Sequence, residues 1–74
     1  MVSRNGIDYT TNTAVFSISK TADLTDLPTM TAAGRDHKGT ALKPVEPGSL
    51  AYLTDGSDKT YVLDGDTNEW KERQ

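Results

Sequence analysis

The sequence predicts a small, mainly β protein, with a C-terminal three-stranded meander, one N-terminal strand and a long central loop in a small antiparallel sheet. Three observations carry this. Side chains alternate at a period of two in residues 14–20, 49–54 and 59–64, as a strand with one buried face requires. Turn clusters stand between short strand-like segments, DGSD at 55–58 and GDTN at 65–68. No segment holds helical spacing for more than about two turns.

Taken in order, residues 1–13 are polar and rich in Thr and Asn. Asn5-Gly6 is a two-residue turn signal, so the flanks VSR and IDY read either as a small hairpin or as a frayed tail. On this reading residues 1–13 are an N-terminal extension or arm, and residues 14–74 are a single small β domain with a loop at 29–48. AVFSISK (14–20) is a strand with Phe16 and Ile18 on one face. TADLTDLP (21–28) reads as one helical turn, capped by Thr21 or Asp23, or as a pair of tight turns. Pro28 biases Leu27 away from helix in either case, and Leu24 and Leu27 are expected to plug the core.

Residues 29–48 show little periodicity and are punctuated by Gly34, Gly39, Pro44, Pro47 and Gly48. Loops this long inside small domains are usually functional or disordered. Arg35, His37 and Lys38 concentrate positive charge there, which suits an arm that reaches a neighbour. Pro44-Val45-Glu46-Pro47 fits a P-x-x-P pattern and is read as a stiff lead into the next strand. SLAYLT (49–54), KTYVLD (59–64) and EWKE (69–72) then form the meander, with Tyr52, Tyr61 and Trp70 contributing one aromatic ring per strand. In-register pairing would gather the three rings on one face, as core, as subunit contact or as a sugar platform.

Composition narrows the function classes. Leu, Ile, Val and Phe make up about 18% of the 74 residues, below the roughly 20% of a self-sufficient globular chain. The net charge of −3 is too small for the disorder signature. The chain is therefore expected to fold around a thin core and to need partners. With no cysteine and one histidine it can form neither a disulfide nor a zinc site built on several histidines or thiolates. Homo-oligomerisation or docking on a larger surface is the expected source of further stability. No basic stripe points to nucleic acid, and no apolar run approaches the roughly 20 residues of a membrane span. The N-terminal residues show no apolar signal core, so synthesis in a cytoplasm without secretion is expected.

The acidic residues invite a calcium reading. Asp64, Asp66 and Asn68 match positions 1, 3 and 5 of an EF-hand loop, but position 6 is Glu69 where Gly is needed. Turn-making explains the same residues, because Gly permits positive φ and Asp and Asn bond their own backbone. Neither a metal nor any other cofactor is expected. An enzyme is not expected either. His37 is the single imidazole and sits in the least patterned stretch, and no phosphate-binding glycine loop is present. A thin sheet also offers no deep cleft in which Asp64 and Asp66 could work on a sugar ring.

ISKTADLTDLPT, followed at a distance by PGSLAYLTDGSDKTYVLDGDTNEWKE, resembles small structural proteins of tailed bacteriophages. The resemblance covers roughly residues 16–72. It is carried by Ala22, Asp23, Leu24, Leu27 and Pro28, then by Pro47, Gly48, Ser49, Ala51, Tyr52, Tyr61, Leu63, Gly65, Trp70 and Lys71. Kelch-type propeller blades share such a meander, but one blade cannot stand alone and no repeat occurs here. The resemblance implies a virion structural protein made in a host bacterial cytoplasm. Its implied partners are major capsid or tail proteins, and capsid decoration or a head-fibre role is favoured over a tail, neck or baseplate accessory. The competing class is a module that binds host glycans through Tyr52, Tyr61 and Trp70. Arg35, His37 and Lys38 complete the candidate interaction residues.

Overall fold

The computed structural model describes residues 1–73. β1 (Val2–Asp8) and β2 (Thr13–Ile18) form an antiparallel hairpin. A 3-10 helix follows at Thr21–Asp26. Two short strands, β3 (Gly34–Arg35) and β4 (Ala41–Leu42), pair with each other. β5 (Leu50–Leu53), β6 (Thr60–Asp64) and β7 (Glu69–Arg73) are the antiparallel meander expected from the alternation. The main sheet has the order β1-β2-β5-β6-β7. With 42% strand and 8% helix, the protein is mainly β.

The sheet is mixed, because β2 and β5 lie side by side in parallel. Residues 19–49 return the chain to the starting end of the sheet and supply the long crossover that parallel neighbours need. That crossover carries the 3-10 helix, β3 and β4.

Asn5-Gly6 makes no turn, and residues 2–8 are neither a frayed tail nor a free arm. Arg4 pairs with Phe16 and Gly6 with Val15, which leaves Asn5 as the extra residue of a β-bulge. Asn5 Nδ2 donates to Ser17 Oγ at 2.6 Å. The bulge has a packing consequence. Val2 and Ile7 are five apart and would point to opposite faces of a regular strand. The added residue returns both to the same side, where they pair with Ile18 and Ala14. Val2 is 2% exposed and belongs to the core. The hairpin turn lies at residues 9–12 instead, where Asn12 takes a φ of 55° and Thr10 N–H donates to Asp8 Oδ1.

One face of the sheet is covered. Phe16, Ile18, Ala51, Leu53, Tyr61 and Leu63 pack under Leu27, Leu42 and Val45 of the crossover. The 29–48 segment is therefore a lid over the core. Val45 N–H donates to Thr29 O at 3.1 Å and Glu46 N–H to Asn12 O at 2.9 Å. Gly34 lies so close to the end of the 3-10 helix that a Cβ would stand 2.2 Å from Asp26 O. Leu27 is buried and Leu24 half-buried against the core, as the spacing predicts.

Asp23 fixes the start of the 3-10 helix from its third position. Its carboxylate accepts the Ser19 N–H at 3.2 Å and the Lys20 N–H at 3.3 Å, the backward half of a capping box. The Met1 amino group and the Ser19 hydroxyl also donate to it. The Met1 ammonium, and after it the Ser19 groups, hold the Asp23 carboxyl below the usual carboxylate range against the opposing effect of burial. Among the described residues Ser49 is the other buried polar one. Its hydroxyl donates to Glu46 O at 2.9 Å and accepts the Ala14 N–H at 3.1 Å, joining β2 to the start of β5.

Candidate functional site

The three meander rings do not gather. Register places Ala51 opposite Tyr61 and Leu63 opposite Trp70, all on the covered face. Tyr52 pairs with Thr60 and points the other way. Tyr61 is 7% exposed. Trp70 meets Phe16 edge-on, with ring centroids 6.0 Å apart, and its Nε1–H donates to Pro28 O at 3.0 Å. Ala51, fully buried, is the register partner of Phe16 on β5. Tyr61 is a core residue, Trp70 is half-buried against the core, and Tyr52, at 43% exposure, is the exposed ring of the meander.

Arg35 ends β3, opposite Ala41, and His37 and Lys38 lie on the β3–β4 connection; all three are exposed. Asp36 Oδ1 accepts the Lys38 N–H at 2.9 Å and the Thr40 N–H at 2.8 Å, and Gly39 turns the chain at a φ of 80°. The Thr40 N–H, with Lys38 N–H behind it, holds the Asp36 carboxyl below its ordinary range. His37 N–H and Nδ1 both approach Val2 O at 2.8 Å. A carbonyl only accepts, so Nδ1 carries the proton. The histidine thus clamps the outer strand β1 from its free edge.

The acidic turn at 64–68 is built as a turn. Asp64 Oδ1 accepts the Asp66 N–H at 2.8 Å, and Asp64 Oδ2 faces Lys71 Nζ at 3.2 Å. The Asp66 N–H first, and Lys71 next, hold the Asp64 carboxyl below its ordinary range. Asn68, at a φ of 56°, ties this turn to the lid: its Oδ1 accepts the Met30 N–H and its Nδ2 donates to Thr31 Oγ1, both at 2.9 Å.

Two surfaces follow from this architecture. The first is the sheet face opposite the lid. Val15, Leu50 and Val62 are register partners in one row across β2, β5 and β6, and all three are half-buried. Tyr52 stands beside them. Among the described residues no element packs over this face, although its central row is apolar. The second is a cleft of about 440 Å³ between the β1–β2 hairpin and residues 41–45. Ile7, Phe16, Leu42 and Val45 give it an apolar floor, with Arg4, Lys43 and Tyr9 around it.

The sheet edges are poor docking sites. β7 carries Glu69, Lys71, Glu72 and Arg73 along its length, and β1 is bulged and held by His37. Charges and bulges of this kind block edge-to-edge pairing. Sequence reasoning chose the aromatic residues and passed over Val15, Leu50 and Val62. The signal was there: β2, β5 and β6 carry apolar side chains at both parities, which a one-sided sheet does not need. No protein-family model, curated protein or solved structure matches the chain.

Proposed function

We propose that this chain is a non-enzymatic structural subunit that docks on other proteins through the open face of its sheet. The observation that carries the reading is the half-buried row Val15–Leu50–Val62 beside the exposed Tyr52, an apolar strip on a face that no element covers among the described residues. Apolar surface left open in a contiguous strip suits an interaction surface. The resemblance of residues 16–72 to small structural proteins of tailed bacteriophages supplies the setting. In that setting the chain is a virion component, a capsid decoration or head-surface accessory whose partners are neighbouring virion proteins.

The test is quantitative mass spectrometry of density-purified particles encoded by the genome that carries this sequence. The reading predicts the chain at a fixed stoichiometry to the major capsid protein. It also predicts loss of that signal when Leu50→Glu places a charge in the middle of the open face. A chain absent from particles, or a Leu50→Glu protein incorporated as well as the original, would overturn it.

A further inference from the structure

We infer that the cleft between β1 and the lid binds an acidic peptide segment of a partner protein, with one apolar side chain in the cleft and carboxylates on both sides of it. The cleft lies on the lid side of the sheet, so it is independent of the open face proposed above as a docking surface. Its frame is fixed at both ends. His37 N–H donates to Val2 O at 2.8 Å at one end. At the other, Glu46 N–H donates to Asn12 O at 2.9 Å and Asn12 Nδ2 to Pro44 O at 3.4 Å. Between these ties the lid stands off β1: Val2 is buried, but Arg4 is exposed and Ile7 half-buried. The opening of about 440 Å³ falls within the range of about 300–1,000 Å³ usual for ligand pockets.

Charge decides the occupant. Arg4 is the register partner of Phe16, so it rises on the lid side of the sheet, from the β1 wall of the cleft. Lys43 stands on the facing wall, in the lid. Among the described residues neither makes an ion pair and no carboxylate lines the cleft, although the chain carries eleven acids against eight bases. Between the cations Phe16, Leu42 and Val45 close the floor, and Ile7 and Tyr9 leave apolar surface open above it. One cation on each wall, with apolar surface between, matches carboxylates on both sides of an apolar side chain. A peptide supplies that pattern and a small monocarboxylate does not. A second hollow, of about 250 Å³, shares Arg4, Ala41 and Leu42 with the cleft and adds Lys38, so the groove continues as a longer acidic segment needs. Asp36 also lines this hollow, but its Oδ1 is taken up by the Lys38 and Thr40 amides. Recognition of acidic motifs by clustered cations works in the same way.

Exposure sets the strength. Each ion pair at such a surface changes binding about two- to fivefold. A partly buried leucine-sized anchor adds about tenfold. The ionic share is screened by salt, so binding should be strongest at low ionic strength.

Titrating the isotope-labelled full chain with the peptide acetyl-Gly-Glu-Glu-Leu-Glu-Glu-Gly-amide, up to about 1 mM at low salt, tests this through the NMR shifts of backbone amides. The shifts should saturate and centre on Arg4, Ile7, Tyr9 and Lys43. Replacing the peptide's glutamates by glutamine, or its leucine by serine, should weaken binding at least about fivefold. Arg4→Gln combined with Lys43→Gln, two exposed changes that should leave the spectrum dispersed, should weaken it as much. Shifts that are absent or lie elsewhere would overturn the inference. So would a glutamine peptide, a serine peptide or the double variant binding as tightly as the original. Octanoate saturating the same amides while the peptide leaves them unmoved would also overturn it, and would assign the cleft to a small amphiphile. Leu50→Glu, on the open face, should bind the peptide as the original chain does. A chain that enters particles but binds no peptide sinks this inference alone, whereas one that binds the peptide but is absent from particles sinks the virion assignment alone.

Discussion

Replacing Trp70 separates the two things its ring does. Trp70→Phe keeps an aromatic ring against Phe16 but leaves Pro28 O without its donor. One lost hydrogen bond of this kind costs about 1 kcal/mol. Trp70→Ala also removes the ring from a half-buried position, for a total of about 3 kcal/mol, the low end of the range for buried aromatics. A 74-residue chain has about 4–11 kcal/mol to lose, so the second change takes a large share. With a urea slope of about 1 kcal/mol/M, the midpoint should fall by about 1 M for Phe and about 3 M for Ala. Trp70 is the only tryptophan, so unfolding must be followed by far-UV circular dichroism and not by indole emission. Equal losses for Phe and Ala, or a shift below about 0.5 M for Ala, would show that Trp70 is not packed against the core and joined to Pro28.

Other sites give independent tests. Gly34→Ala should destabilise the fold by about 2 kcal/mol or more, because the new methyl meets backbone at Asp26 and Pro28, whereas Gly6→Ala enters open space and should change stability by less than about 0.5 kcal/mol in the same urea titration. Ser49→Ala removes the acceptor of a buried Ala14 N–H and should cost about 1–3 kcal/mol by thermal unfolding. Asp23 has a folded-state pKa below its unfolded value, so its stabilisation is complete above about pH 4 and is lost as pH falls through the folded value. Asp23→Asn should therefore lower stability at pH 7 and flatten the acid limb of a stability–pH profile; an unchanged slope below pH 4 would contradict this.

The meander was legible because each of its strands alternates and each turn carries its own chemistry. The N-terminal strand next to it was legible for the same reason. Its partner β1 was not, because the bulge at Asn5 breaks the period of two that would mark Val2 and Ile7 as one face. Asn5-Gly6 also imitates a hairpin turn, while the real turn at 9–12 relies on Asn12 and an Asp8 bond that no dipeptide rule singles out. The lid at 29–48 looked loose because its apolar anchors, Leu42 and Val45, are sparse and aperiodic. Contacts from far along the chain, His37 to Val2 and Asn68 to Met30, hold it in place. For the site, chemistry-bearing side chains drew attention to Tyr61 and Trp70, which the register turns to the covered face. The open face lay in plain valines and leucines whose meaning depends on which side of the sheet the crossover covers.

Tyrosine labelling tests the central claim most directly. Hydroxyl-radical footprinting, read by peptide mass spectrometry on the free chain and on intact particles, compares three rings in one experiment. Tyr9, Tyr52 and Tyr61 are 82%, 43% and 7% exposed. In the free chain Tyr9 and Tyr52 should label and Tyr61 should not. In particles Tyr52 should become protected. Labelling of Tyr52 that is the same in both states, or labelling of Tyr61 alongside it, would contradict an interaction surface on the open face above a buried aromatic core.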